Sequence, residues 1–165
     1  IVIQDIAHSL SMQCRFSGHT KSFYSVAQHS VGVSYLCDTQ DALWGLLHDA
    51  SEAYLVDIPS PLKKSGKFNS YLDFEFNMMS AVCERFNLSP KEPPSVKIAD
   101  KKMLDMEAQH LMKPLRSDWD LGIDTTIFSI TPLSSKESKD LFIKRFLELC
   151  GYPGSIYEEY LRSEM

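Results

Sequence analysis

The sequence has 165 residues, 44% apolar and 24% charged, with 22 acidic against 17 basic residues and a formal charge of −5. That length builds one domain, 1–165, around a single core, and the near-average composition excludes disordered, collagen-like and low-complexity architectures. The acidic balance argues against a nucleic-acid polymer as partner, because such binding rests on a basic footprint.

No run of about 18 apolar residues occurs, so no membrane span is expected. No basic, apolar, small-residue leader opens the chain, and a cytoplasmic location is expected. The first residue is Ile1 rather than Met, which predicts an upstream piece. Cys14, Cys37, Cys83 and Cys150 are scattered without a C-x-x-C pair. They read as reduced core thiols rather than a disulfide framework or a zinc knuckle.

The elements read as helix after helix. A short amphipathic helix is predicted from Asp5, its cap, to Cys14. Ser25 caps a second helix to Cys37, with Val26, Val33 and Leu36 near helical spacing. A third runs from Asp41 to Tyr54 through ALWGLLHDASEAYL and must be central, since few of its faces are polar. VDIPSPLKKSGK then reads as a loop, from its two Pro, Ser and Gly.

A long helix is predicted from Ser70 to Phe86, and a fifth from its cap Ser95 to Met112. Thr125–Ile130 reads as either a short extended stretch or a packed loop. Ser134 and Glu137 form a capping-box pattern before DLFIKRFLELC, Gly151 stops that helix, and a last one starts near Ser155. The expected fold is all-α, a bundle of six to seven helices.

Chemistry concentrates at His48-Asp49, inside the most apolar helix. A buried imidazole beside a buried carboxylate is costly unless each is paired or bound to metal. The pair alone reads most simply as core polar groups, but His29 on the preceding helix and Asp100 on the fifth change that reading. Two His and two Asp on helices sharing one core make a mixed N/O donor set. Such a set suits a divalent Mn, Co, Fe, Zn or Mg ion and not a thiolate site.

Glu52, four residues after His48, projects from the same helix face, and Asp57 follows in the loop. Carboxylates beside a metal can take protons from water or return them. His8 reads as a helix residue packing near the site. His110 compensates a helix dipole, and Met78, Met79, Met103 and Met106 read as core or subunit packing.

The pattern His29, His48-Asp49, Asp100 with Glu52 and Asp57 resembles the HD-domain metal-dependent phosphohydrolases, from about Asp5 to Met112. DIAHSLSMQCRFSGHTKSFYSVAQHS and LLHDASEAYLVDIPSPLKK are similar to the small HD enzymes that act on deoxynucleotides. These are the bacterial 5′-deoxynucleotidases and the phage deoxyadenosine triphosphohydrolases, and GHT with SVAQHS leans toward the phage branch.

The resemblance implies an HD-domain helical bundle in which His29, His48, Asp49 and Asp100 bind a divalent metal. It also implies that Glu52 and Asp57 orient or deprotonate the attacking water and assist the leaving oxygen. Arg15, and Lys63 in the D-x-P-x-P-x-K run, would contact phosphate, with His19 in SGHTKS as a further phosphate contact. Phe16 stands where close relatives often carry Trp and would pack on the base or deoxyribose. The implied activity is hydrolysis of dATP to deoxyadenosine and triphosphate in phage nucleotide-pool control. The alternatives are 5′-deoxynucleotidase action on deoxynucleoside monophosphates and, behind it, a non-catalytic metal- or nucleotide-binding module. A homo-oligomer, dimer or higher, is expected.

Overall fold

A computed structural model describes residues 1–112, 130–152 and 154. The described residues form helices, and their one β-contact is an isolated antiparallel bridge between Cys14 and Ser25. α1 spans Ile3–Met12 and buries Ile6, Ala7, Leu10 and Ser11, the stripe that helical periodicity puts on one face. It begins two residues before Asp5. Val2 takes the cap position without a side-chain bond, and Asp5 lies in the first turn, where a carboxylate still meets the positive end of the helix dipole.

α2, Val26–Leu36, starts as its sequence predicts, with the Ser25 hydroxyl accepting from the Gln28 N–H at 3.1 Å. This helix, rather than the more apolar one after it, is the hub: α1, α3, α7 and α8 all pack on it. Small residues explain why. A Cβ on Gly32 would lie 2.6 Å from the Met103 sulfur of α7, and one on Gly45 of α3 would lie 2.7 Å from the Cys37 sulfur at the end of α2. Backbones approach there because no side chain intervenes. The buried hydroxyls of Ser30 and Ser34 are satisfied by their own helix, donating to the Val26 and Val31 carbonyls at 2.9 and 2.7 Å.

The helix predicted over Asp41–Tyr54 is present as two pieces, α3 (Ala42–Leu47) and α4 (Glu52–Leu55). Between them the chain tightens into three-residue turns, with Ala50 N–H donating to Leu47 and Glu52 N–H to Asp49. Mid-helix tightening of this kind often marks a functional segment, and here it falls on His48-Asp49. Within the predicted loop, Ser60–Lys63 forms the short α5. Pro59 and Pro61 do not forbid it, because the first turn of a helix leaves its N–H groups unpaired anyway.

α6 (Asn69–Arg85) buries only Val82 and Cys83 and so docks by its C-terminal end. α7 (Pro94–Leu111) starts at Pro94, one residue before the predicted cap. Ser95 instead hydrogen-bonds Asp41, which ties the start of α7 to the turn before α3. α8 (Ser135–Leu149) has the full Ser134–Glu137 capping box, and Gly151 follows at φ 72°, a left-handed stop.

One core cluster, with Ile6, Leu10, Leu46, Leu47 and Phe142, fills the space between α1, α2, α3 and α8. The other, with Tyr24, Val33, Trp44, Val96 and Met103, lies between α2, α3 and α7. The cysteines are all free thiols, but only Cys83 is buried. Cys14 and Cys150 are exposed and Cys37 is half-buried, because they fall at element ends rather than on core faces. No helix among the described residues is long and apolar enough to cross a membrane. Residues 125–129 and the helix predicted from Ser155 lie outside the described residues.

Candidate metal centre

Three elements meet where α2, the end of α3 and α7 converge. His29 from α2 is fully buried, His48 closes α3, and Asp100 stands on α7. The two imidazole Nε2 atoms face each other at 3.3 Å. Asp49 Oδ2 lies 3.2 Å from His48 Nε2 and 3.7 Å from His29 Nε2, and Asp100 Oδ1 lies 3.2 Å from His29 Nε2 and 4.0 Å from His48 Nε2. His29, His48 and Asp49 each bring a donor atom within 4.8 Å of the others, a group that can hold a metal ion. Asp100, with 43% of its side chain exposed against none of His29, marks the side on which the cluster meets solvent.

The outer ring nitrogens decide what the inner ones offer. His29 Nδ1 is 2.7 Å from Glu107 Oε1, and His48 Nδ1 is 2.8 Å from the Gly45 carbonyl. Both partners only accept, so each Nδ1 carries the proton and each Nε2 turns a lone pair inward. Two lone pairs and two carboxylates at these distances repel unless a cation stands between them. His29, His48 and Asp49 therefore make a group that can hold a divalent ion of the N/O-preferring kind, with the Asp100 carboxylate at its solvent edge.

Without an ion, protons answer the same demand. Burial favours a neutral His48, but Asp49 and Asp100 outweigh it and push the ring up to about 9. For His29, burial and the Arg15 charge favour the neutral ring and are outweighed by Glu107 and Asp100, a net rise. Burial would raise Asp49, yet His48, His29 and Arg15 hold it well below the usual carboxylate range.

Glu52 and Asp57 flank this group. Glu52 is buried at the start of α4 and its Oε2 makes no hydrogen bond. Burial first, then the Asp49 and Asp57 charges, push it up to about 9, against the opposing pull of Lys63 and Arg15. Asp57 is half-buried just beyond Val56, which holds φ 68° and ψ 147°, a conformation strained for a β-branched residue. The Tyr71 hydroxyl of α6 donates to the Val56 carbonyl at 2.5 Å.

The predicted phosphate contacts are engaged by carboxylates. Lys63 Nζ is 2.6 Å from Glu75 Oε1 and 3.7 Å from Glu52 Oε1. Arg15 Nη2 donates to Glu107 Oε2 at 3.1 Å, and its buried Nε makes no hydrogen bond. The Cys14–Ser25 bridge and the Arg15 N–H bond to the Tyr24 carbonyl, 2.9 Å, pinch the intervening loop at its base and direct Arg15 inward. Phe16 sits beside it, ring centroid 5.5 Å from the guanidinium carbon, at a left-handed φ of 53°.

His19 is exposed farther along the same loop and takes no part in these contacts. His8 is also exposed, on the outer face of α1, rather than packed by the site. His110 is exposed in the last turn of α7, its Nδ1 2.8 Å from the Met106 carbonyl. Met103 and Met106 are buried in the core, whereas Met78 and Met79 on α6 are half-buried, Met79 packing against it.

Sequence reasoning missed Glu107 and Glu75. Glu107 had a signal: it follows Asp100 by seven residues on one helix, two turns on and therefore on the same face.

Among known proteins, YfdR of Escherichia coli K12 is 41% identical over 152 residues, covering 90% of this chain and 84% of its own. The chain belongs to the YfdR family. A protein of Rhodobacter capsulatus is 34% identical over 125 residues, 67% of this chain and 63% of that protein. Both relatives are described only as uncharacterized. No protein-family model matches the chain.

Proposed function

We propose that this chain is a metal-dependent phosphohydrolase of the HD type acting on deoxynucleotides. The observation that carries the reading is the opposed pair of imidazole Nε2 atoms, 3.3 Å apart, whose outer nitrogens are both committed to acceptors. A divalent ion held by His29, His48, Asp49 and Asp100 would supply Lewis-acid polarisation of a phosphoryl oxygen and a more acidic water.

The chain's own groups supply the rest. Arg15 offers the unused part of its guanidinium fork to the non-bridging phosphate oxygens, and Lys63 adds a point charge once a phosphate draws it from Glu75. Phe16 packs against the sugar, where a flat apolar ring leaves a 2′-hydroxyl without a partner. Water attacks phosphorus, and the proton it sheds returns through solvent to the emptied proton donor; the ester P–O bond breaks, and the leaving oxygen needs a proton. Glu52, held near 9, is protonated at neutral pH and can donate it. Asp57, close enough to Glu52 for their charges to interact, would orient the attacking water.

Charge favours the monophosphate over the dATP suggested by sequence. With Glu52 protonated, the described charges around the site are Arg15, Lys63 and Lys97 against Asp49, Asp57, Glu75, Glu92, Asp100 and Glu107. Arg15 and Lys63 are already paired with Glu107 and Glu75, so even with a divalent ion the acidic surroundings disfavour the extra negative charge of a triphosphate tail.

The test is phosphate release from dAMP, the other deoxynucleoside monophosphates, AMP and dATP, with Mn²⁺ or Co²⁺ and with EDTA. Metal-dependent orthophosphate release, with dAMP well ahead of AMP and dATP, is expected. Triphosphate release from dATP would restore the triphosphohydrolase reading. No turnover of any of these by protein shown to bind the metal would overturn the enzyme assignment.

A further inference from the structure

Behind the cluster, on the far edge of the His29 ring from the facing nitrogens, lies Glu107. Its side chain is completely buried. One oxygen takes the His29 Nδ1–H at 2.7 Å, and the other takes an Arg15 N–H at 3.1 Å. Each carboxylate oxygen thus has its own nitrogen donor, with the buried Tyr24 side chain also against the carboxylate. Glu107 cannot itself reach an ion between the Nε2 atoms, because the imidazole stands in the way.

We propose that Glu107 is a positioning residue that sets two groups at once, fixing His29 with Nε2 as the metal-facing nitrogen and holding Arg15 at the phosphate position. Metal affinity and phosphate affinity then depend on one carboxylate. This rests on the metal-dependent phosphohydrolase reading above.

The chemistry of the amide isostere makes the idea sharp. In Glu107→Gln one terminus still accepts, but the other becomes an NH₂ donor. If the oxygen serves His29, the NH₂ faces the Arg15 N–H groups, donor against donor. If the amide turns over, NH₂ donates to His29 Nδ1 and drives the proton to Nε2, where it blocks the inward lone pair. Either orientation fails one partner. Removing Arg15 as well, in Arg15→Met/Glu107→Gln, frees the amide to keep its oxygen on His29.

The experiment measures Mn²⁺ binding by calorimetry, then inorganic phosphate binding to the Mn²⁺-loaded protein, for the full chain and these variants. Circular dichroism verifies folding. Glu107→Gln is expected to lose about 10–100-fold in Mn²⁺ affinity and to weaken phosphate binding. The double variant is expected to regain Mn²⁺ affinity to within about tenfold of wild type, by the same outer-partner scale, while phosphate binding stays lost. A merely structural glutamate would not give rescue of one affinity without the other.

Should Glu107→Gln fail to fold, Glu107→Asp replaces it, since the shorter carboxylate cannot reach both partners. Mn²⁺ and phosphate affinities in the folded single variant equal to wild type would overturn the proposal. So would a double variant no better than the single. A wild-type chain that binds no Mn²⁺ would instead overturn the metal reading on which the proposal stands, and the two failures are distinguished by the wild-type titration alone.

Discussion

The His–Asp half of the site is fastened by the core, whereas the half running from Glu52 to Glu75 is fastened by a turn and by ion pairs. His29 stands on α2, the helix that α1, α3, α7 and α8 all pack against, and both imidazoles have their outer nitrogens bound. By contrast, Glu52 and Lys63 sit on four-residue helices joined through Val56 at φ 68°. Lys63 is placed by Glu75 on the end of α6 that buries nothing. The first half holds its donor geometry through packing before any ion arrives, as a preorganised site must. The second is held by polar contacts, which on the proposed function an incoming phosphate would exchange.

The largest effect should come from breaking the core-fastened half. Asp49→Ala should reduce Mn²⁺ affinity beyond the roughly 10–100-fold that losing an outer partner costs, and turnover should fall with it. Glu52→Ala should do the opposite at the other half, leaving Mn²⁺ affinity near wild type while turnover drops by about 10²–10⁴. Calorimetry and phosphate release on the same preparations measure both. If Glu52→Ala lost metal as completely as Asp49→Ala, the two halves would not be separate, and Glu52 would belong to the ligand set.

Sequence revealed these halves unequally, for physical reasons. His29, His48, Asp49 and Asp100 stood out because donors of those types are expensive inside apolar helices. Ser25 and the Ser134–Glu137 box were legible because capping is local chemistry, decided within three residues. Ser95 misled for a non-local reason: its hydroxyl serves Asp41, 54 residues away. The break at residues 48–51 left no mark, since nothing in LLHDASEAY forbids a continuous helix. Glu107 was overlooked among the other charges of α7, although its spacing from Asp100 marked the face; its partners on α2 and the Arg15 loop are non-local and left no trace in the sequence.

The metal-free protein gives a third test, smaller in size. A group that binds its proton more tightly folded than unfolded makes stability fall as pH rises. His48, raised from 6.5 to about 9, contributes fully below pH 6.5 and loses that contribution as pH rises through about 9. Glu52, raised from 4.5 to about 9, has the same sign: its folded form keeps a proton that the unfolded chain has released. In EDTA, denaturant unfolding should therefore show stability falling from about pH 4.5 through Glu52 and more steeply from 6.5 to 9 as His48 joins, by at most ~1.4 kcal/mol per pH unit for each group. Saturating Mn²⁺ should flatten the His48 part, and Glu52→Gln the Glu52 part. A flat profile in EDTA would mean that the cluster holds no such protons.

The smallest expected effect bears on the strained turn, and it sharpens the contrast most directly. Val56 is 64% exposed, so its side chain contributes little packing, while φ 68° and ψ 147° place it where a β-branched residue is strained by about 1–3 kcal/mol. Val56→Gly removes that strain and adds back about 0.5–1 kcal/mol of chain entropy, so the protein should gain roughly 0.5–2 kcal/mol in stability, read by denaturant unfolding. Turnover should nevertheless fall, because the same backbone places Glu52 and Asp57, and a glycine there widens the range of their separation. Mn²⁺ affinity should stay unchanged, since no donor of the His–Asp group depends on the turn. A stabilised Val56→Gly protein with full turnover would show that the strain serves no positioning role. A loss of stability would show that the added chain entropy of glycine outweighs the strain removed, since the Tyr71 hydroxyl still donates to the residue 56 carbonyl.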